Sequence, residues 1–200
     1  MRYNEVRELL SKARVGIAGA GGLGSTCAIA LARSGVGTLV IIDFDRVEKA
    51  NLNRQQYFSD QTGTLKTVAL KENILRIDPD IMVVTYEEEL TPENTREVFK
   101  DCDVIIEAFD HAGMKEMIIR NVQQHFPDIP LIVGSGVAGW GQCDTLRCRK
   151  IDESLYVCGD ETTEANDENP PIAPRVGIVA NMQANIVLEI LLNKYLKSKA

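Results

Sequence analysis

Cysteine is sparse and unpatterned in this sequence. Its five residues (Cys27, Cys102, Cys143, Cys148 and Cys158) are odd in number and contain no C-x-x-C pair, which argues against a disulfide framework and against a four-cysteine zinc site. Reduced thiols are the expectation. Histidine is rarer still, with only His111 and His125, read as surface or capping residues. Basic excess is missing: the formal net charge is −7, with no basic stripe against that background, so nucleic acid is disfavoured as a partner. The opening stretch MRYNEVRELLSKARVGIAG is charged before it turns apolar, without the layout of a signal peptide or a run long enough to span a bilayer. A cytoplasmic protein with no membrane partner is expected. Internal repeats and low-complexity tracts are also lacking.

What is present is a globular composition: 200 residues, 44% hydrophobic and 26% charged, enough apolar surface for one domain over residues 1–200. RVGIAG (14–19) is a short apolar run ending in glycines. The stretch after it carries Leu23, Cys27, Ala30 and Leu31 at helical spacing and stops at Gly35. TLVIIDF (38–44), IMVVTY (81–86), DVIIEAFD (103–110) and IPLIVGSG (129–136) read as further strands, with helical patterns from Leu65 to Ile77, after Thr91-Pro92, and through Met114, Met117, Ile118 and Val122. The alternation predicts an α/β, Rossmann-like, doubly wound and mostly parallel sheet. GQCDTLRCRK and SLYVCG then read as antiparallel edge strands on the C-terminal side, GDETTEANDENPP (159–171) as a mobile acidic loop, and APRVGIVANMQANIVLEILLNKYLKSK as a long amphipathic helix.

Gly19, Gly21 and Gly24 form G-x-G-x-x-G between strand and helix, with Asp43 nineteen residues after the last glycine. That is the arrangement of a nucleotide site: backbone close to phosphates, a helix N-terminus favouring anions, and a carboxylate for ribose hydroxyls. A dinucleotide dehydrogenase and a glycine turn needed only for packing fit the same residues. The following segment, IIDFDRVEKANLNRQQYF (41–58), discriminates better. Its density of Asn51, Asn53, Arg54, Gln55 and Gln56 has little use in a dehydrogenase, whereas a triphosphate beyond the ribose needs cationic forks and amide donors, with Arg54 as the planar fork and Lys66 as a point charge. Singly, each has a plain alternative: Asp43 and Asn51 as strand-end caps, Arg54 in a surface ion pair, Lys66 solvated on a helix, Asp110 as a helix cap.

GAGGLGS, DFDRVEKANLNRQ, a lysine in the next helix and a strand ending in an acid before a helix together resemble the ubiquitin-activating-enzyme superfamily, and within it the ThiF and MoeB branch that adenylates small sulfur-carrier proteins. The resemblance runs from about Arg14 to the final helix. It implies that Gly19, Gly21, Gly22 and Gly24 face ATP, that Asp43 binds its ribose, that Asn51, Arg54 and Lys66 contact the triphosphate, and that Asp110 holds magnesium. Arg54, Lys66 and Asp110 would be the catalytic set. The partner implied is a ubiquitin-like sulfur carrier of the ThiS type, in thiamin thiazole synthesis, and the assembly a homodimer, for which Ile178, Val179, Met182, Ile186 and Ile190 offer an apolar stripe that would equally suit a monomer core. The chain departs from the family in three places. The two C-x-x-C pairs of a structural zinc are missing, so no zinc is expected. The place of a loop cysteine falls near Asn166. Glu5 stands at the N-terminal arginine-finger position, leaving Arg2 or Arg7 to substitute. An NAD-dependent oxidoreductase and a non-catalytic ATP-binding scaffold are the alternative readings.

Overall fold

A computed structural model describes residues 1–198. Helix α1 (Tyr3–Leu10) leads into β1 (Arg14–Ala18), α2 (Gly22–Ser34), β2 (Thr38–Ile42), α3 (Lys66–Leu75), β3 (Met82–Tyr86), α4 (Pro92–Phe99), β4 (Val104–Glu107), α5 (Ala112–His125), β5 (Leu131–Gly134), β6 (Arg147–Lys150), β7 (Leu155–Gly159) and α6 (Ala173–Ser198). Short 3-10 turns at Lys49–Asn51, Ser59–Gln61 and Cys143–Thr145 punctuate the connections. The seven strands form one sheet in the order β3-β2-β1-β4-β5-β7-β6. Every pairing is parallel except β6 with β7.

Alternation within the apolar strands divides the core. Val15, Ile17, Leu39, Ile41, Val104 and Ile106 face the layer built by α2, α3 and α6, while Val40, Ile42 and Ile105 face α4 and α5. Both faces are covered, so the strands read as near-continuous hydrophobic runs. Helix boundaries follow the local chemistry. Gly35 closes α2 with φ +89°, and the Thr91 side chain accepts the Asn94 N–H ahead of Pro92.

The C-terminal side differs in one respect from the sequence expectation. Of the last two strands only β6 lies at an edge of the sheet, fully exposed; β7 lies inside the sheet and runs parallel to β5, from Leu131 opposite Leu155 to Gly134 opposite Cys158. Alternation alone does not distinguish a parallel from an antiparallel neighbour. Helix α6 is long and apolar enough by length and composition to cross a membrane between Ala173 and Leu196. Here it lies across α2 and β5 with Val176, Val179, Ala180, Ala184 and Val187 buried. Val179 thus belongs to the core, whereas Ile178 is exposed and Met182, Ile186 and Ile190 are half-buried, so the stripe expected from sequence is split between core and surface.

Candidate functional site

Strand order reverses between β1 and β4, and the crevice opens beyond their carboxyl ends, where α/β sheets place ligands. The turn after β1 depends on glycine at two points. Gly19 has φ +97° while its N–H bonds to Ile42 O at 2.9 Å, and a Cβ on Gly24 would lie 1.8 Å from Gly19 O. The turn and the first turn of α2 therefore stack backbone on backbone. Gly21 faces open space, its nearest neighbour being Gln55 Nε2 at 3.9 Å from a would-be Cβ; at Gly22 that atom would meet Val176 Cγ1 at 2.9 Å. Gly22 thus answers to α6 as much as to a ligand. Gly21, the N-cap of α2, provides no side-chain cap, so the first amides of α2 are available to an anion.

Asp43 sits one residue beyond β2. Its Oδ2 accepts the Ala20 N–H at 2.6 Å and its Oδ1 accepts the Asp45 N–H at 2.7 Å, which ties the carboxylate to the glycine turn. Burial raises its pKa, with Lys66 and the two amides pulling the other way. Lys66 is the first residue of α3, and its buried Nζ lies 2.7 Å from Asp45 Oδ2. Asp45, the second acid of DFD, also lines the cleft and is absent from the sequence-predicted set; its spacing of two residues from Asp43 is the signal that could have found it. Arg54 is half-buried and its Nη1 donates to Asn53 Oδ1 at 2.9 Å. Asn51 ends a 3-10 turn, and its backbone carbonyl accepts the Arg54 and Gln55 N–H groups.

On the other side of the crevice β4 ends at Glu107, not at Asp110. Glu107 is fully buried. Its Oε1 accepts the Phe109 N–H at 2.6 Å, and Lys115 Nζ donates to both carboxylate oxygens at 2.9 and 3.0 Å and to Gly134 O at 2.8 Å. Burial raises the Glu107 pKa against the pull of Lys115. Sequence held a signal for this pair too, since an acid inside the run VIIE must find a partner. Asp110 is exposed and makes no hydrogen bond or ion pair among the described residues. The cap of α5 is His111, whose Nδ1 accepts the Gly113 N–H at 3.2 Å. The capping role weighed for Asp110 therefore falls to its neighbour.

Two lobes meet at Asp110. One, of about 400 Å³, is bounded by Asp43, Lys66, Glu89, Leu90, Phe109 and Met114. The other, of about 650 Å³, runs outward past Arg54, Gln55 and Lys115 between residues 134–138 and 163–165. The loop bordering this second lobe is held at its start. Asp160 accepts the Thr162 and Thr163 N–H groups and the Arg175 guanidinium, and Asp160 and Arg175 are both buried. Burial alone would raise the Asp160 pKa, but these bonds bring it down to about 2. The N-terminal arm stays away from the cleft of its own chain: Arg2 pairs with Glu5, and Arg7 with Asp78 at 3.0 Å. Among the described residues no cluster of three or more His, Cys, Asp or Glu could hold a metal ion.

A family model described as the ThiF family matches residues 3–200. The chain belongs to the ThiF family. Curated relatives of this ThiF-family chain include the adenylyltransferase and sulfurtransferase MOCS3 of Dictyostelium discoideum, 32% identical over 192 residues, 92% of this chain and 44% of the relative. The molybdopterin-synthase adenylyltransferase of Salmonella typhimurium is 29% identical over 192 residues, 94% of this chain and 76% of the relative. The chain thus spans less than half the length of several curated relatives it matches. Among solved structures, the E. coli tRNA N6-threonylcarbamoyladenosine dehydratase TcdA in complex with AMP superposes with TM-score 0.86 at 21% identity, covering 96% of this chain and 91% of that one. E. coli MccB with ATP gives 0.71 at 25% identity, covering 93% and 57%. These likenesses establish the ThiF-type, Rossmann-like fold.

Proposed function

We propose that this chain is an ATP-dependent adenylyltransferase that activates the C-terminal carboxylate of a small ubiquitin-like sulfur-carrier protein. The observation that carries the reading is Asp110, exposed and unpartnered at the meeting of two lobes. The lobe with Asp43 and Lys66 suits a nucleoside and its phosphates, and the outward lobe suits an extended peptide tail. Family membership and the names of the relatives support the same reading.

In this reading the tail carboxylate attacks the α-phosphorus of ATP, a P–O bond to that carboxylate forms, the bond to the pyrophosphate oxygen breaks, and acyl-adenylate and pyrophosphate leave. A carboxylate is already ionised at neutral pH, so the chain needs to supply position and charge rather than a general base. Asp43 orients the ribose while holding the Ala20 amide, the free amides of α2 and the fork of Arg54 receive phosphate oxygens, and Lys66, steadied by Asp45, adds a cation. Asp110 would hold magnesium. A lone carboxylate suits that ion, which is commonly bound by one or two carboxylates together with water and substrate phosphates, and when bound it neutralises charge on the reacting phosphates. Glu107 and Lys115 fix the 107–110 turn from behind.

Within this class the sequence reading favours a ThiS-type carrier and thiazole synthesis; the name of the Salmonella relative makes a molybdopterin-synthase carrier the other candidate. ATP–pyrophosphate exchange, run with each purified carrier and with the same carriers lacking their terminal glycines, decides the matter. Exchange that needs an intact tail supports adenylation. Carrier-independent exchange, or ATP binding with no exchange with either carrier, overturns it.

A further inference from the structure

Away from the cleft, one pair of side chains, a core thiol and an exposed one, is placed in a way that the proposed reaction does not use. Cys148 on β6 and Cys158 on β7 are opposite each other in the antiparallel register, both thiols are free, and their Sγ atoms are 2.9 Å apart. The ladder shows which kind of pair this is. Cys158 O accepts the Ser135 N–H from the β5 side, whereas Leu155 O accepts the Ile151 N–H from the β6 side. Even-numbered residues of β7 therefore turn their peptide groups toward β5, and Cys148 and Cys158 form a pair without mutual backbone hydrogen bonds. At such positions the Cα atoms are about 4.5 Å apart and the side chains approach most closely, inside the range that a disulfide spans.

Access divides the two thiols. Cys158 is fully buried. Cys148 is exposed and borders two hollows along α6, one with Ile178 and Met182 and one with Ile186 and Glu189. A small reagent reaches Cys148 and not Cys158, while Cys158 is already in contact with whatever forms on Cys148. The remaining cysteines do not share this arrangement: Cys27 and Cys102 are buried, and Cys143 is exposed on the Cys143–Thr145 turn without a sulfur partner.

We propose that Cys148 and Cys158 form a redox-modification site that takes hydroperoxides as oxidant and closes reversibly to a cross-strand disulfide. The Cys148 sulfur attacks one peroxide oxygen; an S–O bond forms, the O–O bond breaks, and with hydrogen peroxide the departing oxygen leaves as water. The Cys158 sulfur then attacks Cys148, forming the S–S bond and releasing the second oxygen as water. Two thiols have lost two protons and two electrons, and one peroxide has become two waters. A dithiol reductant reverses the step by exchange.

The test uses the whole chain treated with hydrogen peroxide, then denatured, alkylated with iodoacetamide and analysed by intact mass and by a non-reducing peptide map. We expect alkylated thiols to fall from five to three, with a peptide linking Cys148 to Cys158, and all five to return after dithiothreitol. Cys148→Ser, at an exposed position, should abolish the linked peptide and leave four alkylated thiols, so the outcome does not depend on a substitution at buried Cys158. Five alkylated thiols after oxidation, or Cys148 carried to sulfinic acid with Cys158 still reduced, would overturn the proposal. Because the readout is covalent, its failure is separate from any failure of adenylation.

Discussion

Asp43 and Asp110 are both aspartates just past strand ends, and their surroundings give them different work. Asp43 is held by two backbone amides and shaped by burial; Asp110 is held by nothing. We therefore expect Asp110→Asn to leave the melting temperature unchanged and to lower the adenylation rate by about a hundredfold or more, as for loss of one preorganised electrostatic contact. Asp43→Ala should mainly weaken ATP binding and should also lower stability, because the Ala20 N–H loses its acceptor. Calorimetry alongside exchange kinetics checks both, and a near-native rate for Asp110→Asn at saturating magnesium would remove Asp110 from the site. The aspartates were legible in sequence because each punctuates an apolar run. Asp45 and the Glu107–Lys115 pair were less so, since their roles depend on partners 21 and 8 residues away.

At the scale of elements, strands and helices followed the periodicity closely, and the residues that stop them, Gly35 and Thr91-Pro92, do so by the expected backbone chemistry. Three places depart from it: α1, for which the sequence reading gave no helix, β4, which stops at Glu107 short of Asp110, and the stretch after β5, where the place of β7 depends on pairing with a strand that precedes it by two dozen residues. The acidic loop after β7 was legible as a loop but not as an anchored one. Its anchor joins Asp160 to Arg175 across an irregular segment, and no local pattern announces such a pair. Replacing Asp160 by Asn should destabilise the fold by about 3 kcal/mol at neutral pH, because it strands a buried guanidinium. The pH dependence has a definite sign. A carboxyl whose pKa is lowered on folding to about 2 contributes stability that is complete above its unfolded value of about 4 and is lost as pH falls toward 2. The gap between wild type and Asp160→Asn should therefore stay constant from pH 7 to about 4 and narrow below it, which denaturant titrations at stepped pH would read; a gap independent of pH down to 2 would contradict the anchor's charge.

For the whole molecule, the N-terminal arm bearing Arg2 and Arg7 keeps away from the cleft of its own chain, with Arg2 paired to Glu5 and Arg7 to Asp78, which leaves that cleft open to a second copy. We expect a homodimer in light scattering at micromolar concentration, and a value near the chain mass of 22.1 kDa would refute it.

Gln183 of α6 sits fully buried against the sheet, its amide donating to Glu107 O and Ile132 O and lying 3.7 Å from the Cys27 sulfur. One side chain thus joins α6 to β4, β5 and α2. During synthesis on the ribosome, the inner faces of those three elements have no permanent cover until residue 183 has emerged. Until then the nascent chain must carry its strands with that face open to water, and α6 is the element that closes it.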